Sequence, residues 1–473
     1  MTDQDLAYKT ISALAPLIES KTISPMELTD LALARIERYD GPLNSFITVM
    51  ADSARGEAKA AERAIAAGNY LGPLHGIPIA AKDLYATAGT LTTFGSLLFA
   101  DWVPDHDAAV VERLRAAGAI ILGKTNLQEL AYGTTSANPH YGQVYNPWKP
   151  GYHPGGSSGG SAAALAAGFT WMALGSDTGA SIRQPAACCG VVGIKPTFGR
   201  VSKHGCLPLA WSMDHAGPMT RGVGDAALTM NLLAGHDPRD PCSVDRPVPD
   251  FTTGLGGGIK GRKIAVVRKF FMEDGDPEVM AAIEATLPVL EDLGAEILEV
   301  ELPHIEDAFK AGTLTILSEG ATYHADHLRT RLEAFSPQCR ADFELGRLYK
   351  ATDYIQAQRL RRHLMNEAAK VMAPLDALVM PTSPITATPA EGNPPDHPIY
   401  RVRNTIPFNF LGLPAMSLPA GFTLDGLPIG LQIVGKAFDE AGILEIAHAF
   451  EQATDWDARR PPLTKDVRRP PVT

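Results

Sequence analysis

The sequence has little that would direct the chain to a membrane or to nucleic acid. Residues 1–5 are acidic and lack the basic start of a secretory signal. The longest apolar run, 162–174, is too short to span a bilayer and is interrupted by Gly168. No long basic run is present and the net charge is −11, so nucleic acid and anionic membranes are poor partners. The sequence therefore predicts a cytoplasmic protein that binds neither membranes nor nucleic acid directly.

Cysteine is also scarce, and the five cysteines lack the spacing of metal ligands. We expect reduced, mostly buried thiols and no metal site. They are Cys188, Cys189, Cys206, Cys242 and Cys339. A hydrophobic share of 45% and a charged share of 20% are typical of a globular protein. The length of 473 residues allows one large core or several smaller ones.

Start, stop and turn signals predict an alternation of helices and strands. Ser24, Pro25 and Glu27 form a helix start, and the helix is expected to end at Tyr39 before Gly41. Further helices are predicted at 51–67, 107–117, 225–234, 277–293, within 305–372 and at 439–452, and strands at 76–81, 119–122, 190–201, 262–267, 295–302, 377–380, 415–422 and 428–434.

Two of these predictions concern how strands pair. The strand-helix-strand order across 262–302 predicts a parallel pair with a crossover connection. Asp425-Gly426 between two strand-like runs predicts a hairpin. The segment 132–150 is predicted to be a loop and 236–261 a linker, because both are rich in turn-forming residues.

Two loops of small residues flank an apolar run in the segment 155–185. The first loop, 155–161, reads GGSSGGS, and the second, 175–185, reads GSDTGASIRQP. A flexible linker could have this composition, but 163–167 between the loops reads as a buried helix. Serine supplies a hydroxyl that can act as nucleophile, donor or acceptor.

Well upstream of these loops, Lys82 follows five apolar residues. Its side chain either extends to the surface or points into a site.

Three motifs fit patterns whose structural context is wrong. The segment 118–125, GAIILGKT, fits a phosphate loop, but a helix precedes it and its middle is strand-like. The segment 256–261 fits GxGxxG but precedes its strand instead of following it. The segment 156–160 fits GxSxG around Ser158, yet 146–154 before it contains three prolines and cannot be a central strand. Nucleotide binding and a nucleophile elbow are therefore not predicted.

A fourth pattern is a pair of histidines, His324 and His327. Their three-residue spacing without further ligands is weak evidence for a metal, and a solvated helix face is the expected reading.

Taken together, several segments resemble the amidase signature family. The resemblance rests on 155–161, on 177–186 and on 76–83, with Ser157 75 positions after Lys82 and Ser181 24 positions after Ser157. The segments 124–126, 193–197 and 426–432 match as well, so it covers most of the chain.

The resemblance implies an α/β fold: a single α/β/α domain over 1–473 with a large mixed central β-sheet flanked by helices. Its expected parts are a helical N-terminal segment 1–70, a catalytic core 71–235, a surface excursion 236–261, the remaining sheet and pocket helices 262–458, and an irregular tail 459–473.

The resemblance also implies a Ser-cisSer-Lys triad. Ser181 would be the acylated nucleophile, Ser157 would relay the proton across a cis peptide bond, and Lys82 would be the base. A serine hydroxyl needs a base to become a nucleophile. A lysine can be that base if burial lowers its pKa from about 10.4 toward neutrality.

An oxyanion hole is implied at the second loop. Its backbone donors would be Thr178, Gly179, Ala180 and Ser181. Ala180 departs from the glycine often found there; only its N–H is needed, although its methyl could narrow the pocket. Asp177 and Arg183 are expected to hold the loop, and Ser158 to support the triad. The segment Ala131, Tyr132 and Gly133 is expected to face the acyl site, with a buried core aromatic as the alternative for Tyr132.

Two hypotheses for the function follow from the resemblance. The first is a free-standing amidase that cleaves an amide, and by the same chemistry an anilide, a carbamate (urethane) or an ester, without metal or cofactor. The second is the glutaminase subunit of a tRNA-dependent Asp/Glu amidotransferase, although 317–354 lacks the substrate-recognition pattern expected of it. The resemblance leaves a homodimer open. The substrate determinants are expected in 305–349 and at Tyr132.

Overall fold

The computed structural model describes residues 2–391 and 400–463. Its centre is an eleven-stranded mixed sheet with the strand order β1-β3-β2-β6-β8-β7-β12-β13-β11-β9-β10, and β4 and β5 form a separate small sheet. The strands are β1 Phe46–Val49, β2 Pro78–Lys82, β3 Ile120–Thr125, β4 Ala137–Asn138, β5 Gly142–Gln143, β6 Met172–Asp177, β7 Val192–Lys195, β8 His215–Thr220, β9 Lys263–Val266, β10 Glu296–Glu299, β11 Ala377–Pro381, β12 Ala415–Phe422 and β13 Pro428–Val434.

Helices cover the sheet on both faces. They are α1 Asp3–Ala7, α2 Ile11–Glu19, α3 Pro25–Leu43, α4 Ala51–Ala66, α5 Ala109–Ala116, α6 Gly159–Ala166, α7 Arg183–Cys189, α8 Val223–Leu233, α9 Pro277–Glu284, α10 Thr286–Asp292, α11 Ile305–Tyr323, α12 Ala325–Thr330, α13 Pro337–Gly346, α14 Ala351–Met372, α15 Ile406–Phe410 and α16 Glu440–Gln452. Short 3₁₀ turns lie at Leu97–Phe99, Glu129–Ala131, Leu332–Ala334, Tyr400–Val402 and Trp456–Ala458. The architecture is the α/β fold that the sequence predicts.

The centre of the sheet is buried on both faces. All residues of β2, β3 and β6 are buried, as expected for strands that helices cover on either side. β2 runs parallel to both of its neighbours, β3 and β6. The carboxyl end of β2 therefore lies beside that of β6, which brings Lys82 close to the second glycine-rich loop.

The second half of the chain continues the same sheet. β12 and β13 form the predicted hairpin, and β12 also pairs with β7 of the first half. β9 and β10 are parallel, which confirms the predicted crossover. No helix or strand occurs in the described segment 236–261, but Phe251 and Ile259 are buried in the main core and hold this excursion against the domain.

The structure corrects two helix predictions. The helix predicted over 277–293 is two helices, because Pro288 lacks an N–H group and its ring clashes with the carbonyl four residues earlier, at Glu284. The helix predicted to end at Tyr39 continues to Leu43 and is terminated by Asn44 in the left-handed conformation, with φ of 55°.

Other expectations fall partly outside the described residues. Of the predicted irregular tail, 459–463 forms no helix or strand, and 464–473 lies outside the described residues. In the described ranges, no helix is both long and apolar enough to cross a membrane. The five cysteines are free thiols, and three of them are buried. The cytoplasmic location stays a prediction.

Candidate active site

Lys82 is the last residue of β2 and is completely buried. Its amine donates to three serine hydroxyls: Ser157 Oγ at 2.8 Å, Ser158 Oγ at 2.9 Å and Ser176 Oγ at 2.9 Å. The side chain therefore points into a site and does not extend to the surface. Ser157 and Ser158 come from the first glycine-rich loop and Ser176 from the end of β6.

The surroundings of Lys82 favour its neutral form. Burial lowers the pKa of the amine to about 7, although the more distant Cys206, Asp177 and Asp214 each raise it. Hydroxyl groups hydrogen-bond both protonation states of an amine, whereas an adjacent carboxylate would stabilise the ammonium ion. Lys82 can therefore accept a proton near neutral pH.

The glycines of the first glycine-rich loop pack so closely against neighbouring residues that a side chain would not fit there. The peptide bond between Gly156 and Ser157 is cis. A methyl group on Gly156 would lie 2.8 Å from the backbone nitrogens of Thr135 and Ser136, and one on Gly160 would lie 2.3 Å from the carbonyl oxygen of Asn126. Glycine is therefore required at both positions by close approach.

Hydrogen bonds fix the same loop. The Gly156 N–H donates to the Gln184 side chain at 2.9 Å, and the Ser136 hydroxyl donates to the Gly155 carbonyl at 2.9 Å. Helix α6 begins at Gly159, within the segment 155–161, and is buried along its whole length. The Ser157 hydroxyl is held within reach of Lys82 by this rigid support.

Ser181 lies in the second glycine-rich loop, two residues before the start of α7, and borders a cavity of about 310 Å³. Its hydroxyl makes no hydrogen bond to Ser157 or to any other residue in the described part of the chain. The structure thus brings Lys82 and Ser157 into contact and leaves Ser181 open to the cavity. Thr178, Gly179 and Ala180 border the same cavity. The φ angle of Ala180 is not positive, so alanine fits this position without strain.

A buried ion pair holds the second glycine-rich loop. Asp177 and Arg183 are fully buried and meet through two hydrogen bonds, Nε to Oδ2 at 2.9 Å and Nη2 to Oδ1 at 3.0 Å. Burial alone would raise the pKa of Asp177, but Arg183 holds that pKa well below its usual range. Arg183 also donates to Gln432 of β13 at 2.8 Å and to Asn409 of α15. The loop 178–181 between the paired residues is therefore clamped at both ends.

Sequence reasoning missed Asp214. Its carboxylate accepts the Thr178 hydroxyl at 2.6 Å and the backbone N–H groups of Leu209 and Ala210 at 3.0 Å. Burial raises the pKa of Asp214 to about 6, against the lowering effects of Lys203 and of these donors. Asp214 orients Thr178 at the edge of the cavity. No local pattern marks this aspartate, since Thr178 comes from a distant loop.

Ser176 was also missed, although the sequence contains a signal for it. Successive residues of a strand point to opposite faces, so Ser176 and Asp177 at the end of β6 serve different partners. Ser176 meets Lys82, whereas Asp177 meets Arg183. The period of two along 172–177 could have identified Ser176 as a neighbour of the lysine.

The predicted substrate-facing segment does border the cavity. Ala131, Tyr132 and Gly133 form part of its wall. The ring of Tyr132 also packs on Phe343, with 5.4 Å between the ring centroids, so the residue is both a wall of the cavity and part of a hydrophobic cluster. The remaining lining residues are Thr134, Leu209, Thr313, Ile316, Leu317, Gln338, Asp342, Val402 and Ile406.

Two sequence patterns have structural explanations. Lys124, in the segment resembling a phosphate loop, is a buried residue of β3 whose amine lies 3.1 Å from the Asp83 carboxylate. The expectation of a solvated histidine face is wrong: His324 is fully buried and stacks on Phe343, with its Nδ1 atom 3.2 Å from that of His327. In the described residues, no group of three or more potential ligands could hold a metal ion.

A buried lysine and serine hydroxyls beside a largely apolar cavity, on a mixed sheet, are typical of hydrolytic enzymes that use a hydroxyl nucleophile. The model of the family described as Amidase matches residues 27–444, and the chain belongs to this family. It is therefore an enzyme of the class that acts on linear amide C–N bonds.

Known proteins resemble the chain over nearly its full length. It is 42% identical to the A subunit of the glutamyl-tRNA(Gln) amidotransferase of Moorella thermoacetica, over 97% of this chain and 99% of that protein. A solved structure of a vestigial protein complex, described as revealing the evolutionary origins of an s-triazine catabolic enzyme, has a TM-score of 0.90 at 35% identity, covering 94% of this chain and 98% of that one. The native peptide amidase of Stenotrophomonas maltophilia has a TM-score of 0.84 at 32% identity, covering 97% and 99%.

Proposed function

We propose that this protein is an amidohydrolase that cleaves its substrate through an acyl-enzyme on Ser181, with Ser157 as proton relay and Lys82 as general base. The observation that carries the proposal is the contact of a buried amine of lowered pKa with the Ser157 hydroxyl at 2.8 Å, next to a cavity that Ser181 borders. The reaction requires no metal or cofactor.

Acylation transfers the acyl group of the substrate to Ser181 and has the net effect of moving one proton from Ser181 to the leaving amine. As the Ser181 oxygen attacks the substrate carbonyl, its proton passes to the Ser157 oxygen while the Ser157 proton passes to the neutral Lys82 amine. Collapse of the tetrahedral intermediate breaks the C–N bond, and the proton returns through Ser157 to the departing amine. Water then attacks the acyl-enzyme while its proton passes through Ser157 to Lys82. The proton returns through Ser157 to the Ser181 oxygen as the bond to Ser181 breaks and the carboxylic acid leaves.

The loop 178–181 would stabilise the oxyanion of the tetrahedral intermediate. Its backbone N–H groups lie between the two residues of the Asp177–Arg183 pair, and Asp214 fixes Thr178 from the side. Because the donors are held before the substrate arrives, they need not reorganise in the transition state. Removing one such donor typically costs about 3 kcal/mol of transition-state stabilisation.

The cavity favours a largely apolar substrate. Leu209, Ile316, Leu317, Val402 and Ile406 supply much of its wall. Its described lining residues include one carboxylate and no lysine, arginine or histidine. These features support a small-molecule amide, anilide or carbamate (urethane) over a substrate that carries a free carboxylate.

A screen of aliphatic amides, anilides, peptide amides, carbamates, esters and glutamine tests this proposal, with product masses to identify the broken bond. Ser181→Ala and Lys82→Ala are expected to lower kcat by at least about 10³-fold. Asp326→Asn, an exposed change on α12, serves as the matched control and should retain activity. Near-full amide hydrolysis by both site variants would refute the acyl-enzyme mechanism.

The second candidate is the glutaminase subunit of a tRNA-dependent amidotransferase. The 42% identity over nearly the whole chain supports it more directly than it supports a free-standing amidase. The cavity argues in the other direction, because glutamine brings an α-carboxylate and no basic side chain occurs among the described lining residues. Arg361 of α14 is half-buried, donates to the Ser212 carbonyl and does not border the cavity.

A comparison of the protein alone and with candidate partner subunits separates the two functions. Ammonia release from glutamine that appears only with a co-purifying partner would favour the amidotransferase component. Turnover of neutral amides by the isolated chain, without activity on glutamine, would favour the free-standing amidase.

A further inference from the structure

Asp342 is the only carboxylic acid among the described residues that line the cavity. It lies on α13 and is half-buried, and much of the cavity wall to which it belongs is apolar. A carboxylate in such surroundings loses part of its hydration and therefore needs a hydrogen-bond donor or a cation as a partner. The oxyanion donors and the proposed triad do not involve it.

The helix that carries Asp342 is held firmly against the wall of the cavity. The Ser336 N–H, before the first turn of α13, donates to the Glu129 carboxylate at 2.9 Å. Gln128 donates to Gln338 in the first turn at 3.1 Å, and its oxygen accepts the backbone N–H of Ser136 at 2.8 Å. The position of Asp342 relative to the 131–134 wall is thus fixed by side chains on both sides of the cavity.

Tyr132 is a second lining residue of the cavity and packs against the helix that carries Asp342. Its ring packs on Phe343, the residue after Asp342, with 5.4 Å between centroids. Burial raises the pKa of Asp342, while the nearby Tyr132 hydroxyl lowers it. For Tyr132, burial and the Asp342 charge both raise the pKa of the phenol. The phenol therefore remains a neutral donor, and the carboxylate retains further acceptor positions for a ligand.

We propose that Asp342, beside Tyr132 in the cavity wall, is the specificity-determining residue of the cavity and recognises an amino or ammonium group on the substrate. This inference rests on the proposed amidohydrolase function and names the substrate class: amides, anilides or carbamates that carry a second nitrogen with N–H donors. A substrate with a carboxylate at the same place is disfavoured, because it would approach Asp342 with like charge and find no basic partner in the described lining.

Two matched substrate sets test this proposal, one for each side of the scissile bond. In the first, para-nitroanilides carry acyl chains of equal length that end in methyl, ammonium or carboxylate. In the second, acetanilides carry methyl, aminomethyl or carboxylate groups at the para position. The readout is the ratio of kcat/KM for the ammonium substrate to that for the carboxylate substrate within each set.

In at least one set, the wild-type ratio is expected to be on the order of 10–100. In Asp342→Asn it should fall to within about threefold of unity, because the charge is removed while the shape is kept. Tyr132→Phe should also change the ratio, since it removes the phenol hydroxyl near Asp342 in the cavity wall. Glu344→Gln, two residues further along α13 and paired with Arg340 at 3.6 Å, is the matched control and should leave the ratio as in the wild type.

The methyl-ended substrates separate this inference from the proposed function. Their Ser181-dependent turnover tests the amidohydrolase reaction itself. If they are cleaved while the wild-type ratio is near unity in both sets, or if Asp342→Asn leaves a high ratio unchanged, the assignment of Asp342 is wrong and the enzyme function stands. If the Ser181→Ala variant cleaves them as fast as the wild type does, the proposed function fails and the assignment fails with it.

Discussion

Lys82 combines two properties that a base of this kind needs. It is completely buried, which disfavours the charged form, and its hydrogen-bond partners are hydroxyls, which tolerate either form. The neighbouring Lys124 is equally buried but contacts the Asp83 carboxylate directly. The two lysines are equally buried and differ in their partners, and this difference supports Lys82 over Lys124 as the proposed base.

The lowered pKa of Lys82, about 7, predicts the pH dependence of catalysis. Below this pKa the amine is protonated and cannot accept the proton from Ser157, so kcat/KM should fall about tenfold per pH unit toward acid. It should reach a plateau about one unit above neutrality. A pH–rate profile with an uncharged anilide measures this, and thermal melting at each pH verifies that the protein stays folded. A midpoint near about 10, as for an exposed lysine, would contradict the assignment.

At the level of single residues, local motifs and long-range contacts differ in what sequence can reveal. Lys82 and Ser157 sit in motifs with fixed spacing, so a resemblance identifies both of them. Asp214 and Asp342 have no such motif, because the loop and helix that carry them meet the site only after the chain has folded. Asp342 falls within the expected range of determinants, 305–349, but nothing in the sequence distinguishes it from its neighbours.

One buried cluster of hydrogen-bonded side chains joins the helices and strands around the site. Arg183 of α7 pairs with Asp177 of β6 and donates to Gln432 of β13. Asn409 of α15 donates to Asp177 at 2.8 Å. Elements from both halves of the chain therefore meet at the loop that would hold the oxyanion donors, so the stability of the fold and the geometry of the site depend on the same contacts.

Arg183→Met is predicted to destabilise the protein by about 3–5 kcal/mol at pH 7, because it leaves the buried Asp177 carboxylate without its partner. With Arg183 present, the depressed pKa of Asp177 contributes stability above its unfolded pKa, and that stability is lost as the pH falls through the folded value. In the variant, burial raises the pKa of Asp177 instead. The loss relative to wild type should therefore shrink as the pH falls and Asp177 takes up a proton.

Urea unfolding at several pH values between about 5 and 8 measures this effect. Arg55→Gln is the matched control, since it breaks the half-exposed pair with Asp30 and should cost less than about 1 kcal/mol. Equal losses for the two variants would show that the buried pair contributes no more than a surface pair.

Turns and prolines decided how well individual elements were predicted. The β12–β13 hairpin matches its predicted bounds, because Asp425-Gly426 is a strong local signal. The break between α9 and α10 also has a local cause, Pro288, which the helical periodicity of the segment concealed. The length of α3 could not be predicted from Gly41, since Asn44 provides the actual stop.

The central sheet of the molecule contains strands from both halves of the sequence. β7 from the first half pairs with β12 from the second half, antiparallel, in the middle of the eleven strands. This strand order could not be read from the sequence, because the pairing partners are about 220 residues apart and no local pattern specifies them. From the pairing of β7 with β12 we infer that the described residues form a single domain, in which 236–261 is an excursion and not a boundary.

A cut within the glycine cluster 254–258 tests this organisation. A protease site inserted there should yield a nicked protein whose two pieces stay together, unfold in one transition and retain amide hydrolysis, because β7 and β12 remain paired in a shared sheet. The piece 1–256 expressed alone should show no cooperative unfolding, since the edge of β7 and much of the cluster around Arg183 would be uncovered.

Size-exclusion chromatography, calorimetry and an activity assay measure these outcomes. The same protease site inserted in the β12–β13 turn at 424–426 is the control for the insertion itself. A cooperative transition of the isolated piece 1–256 would instead mean that 236–261 separates two domains that fold independently.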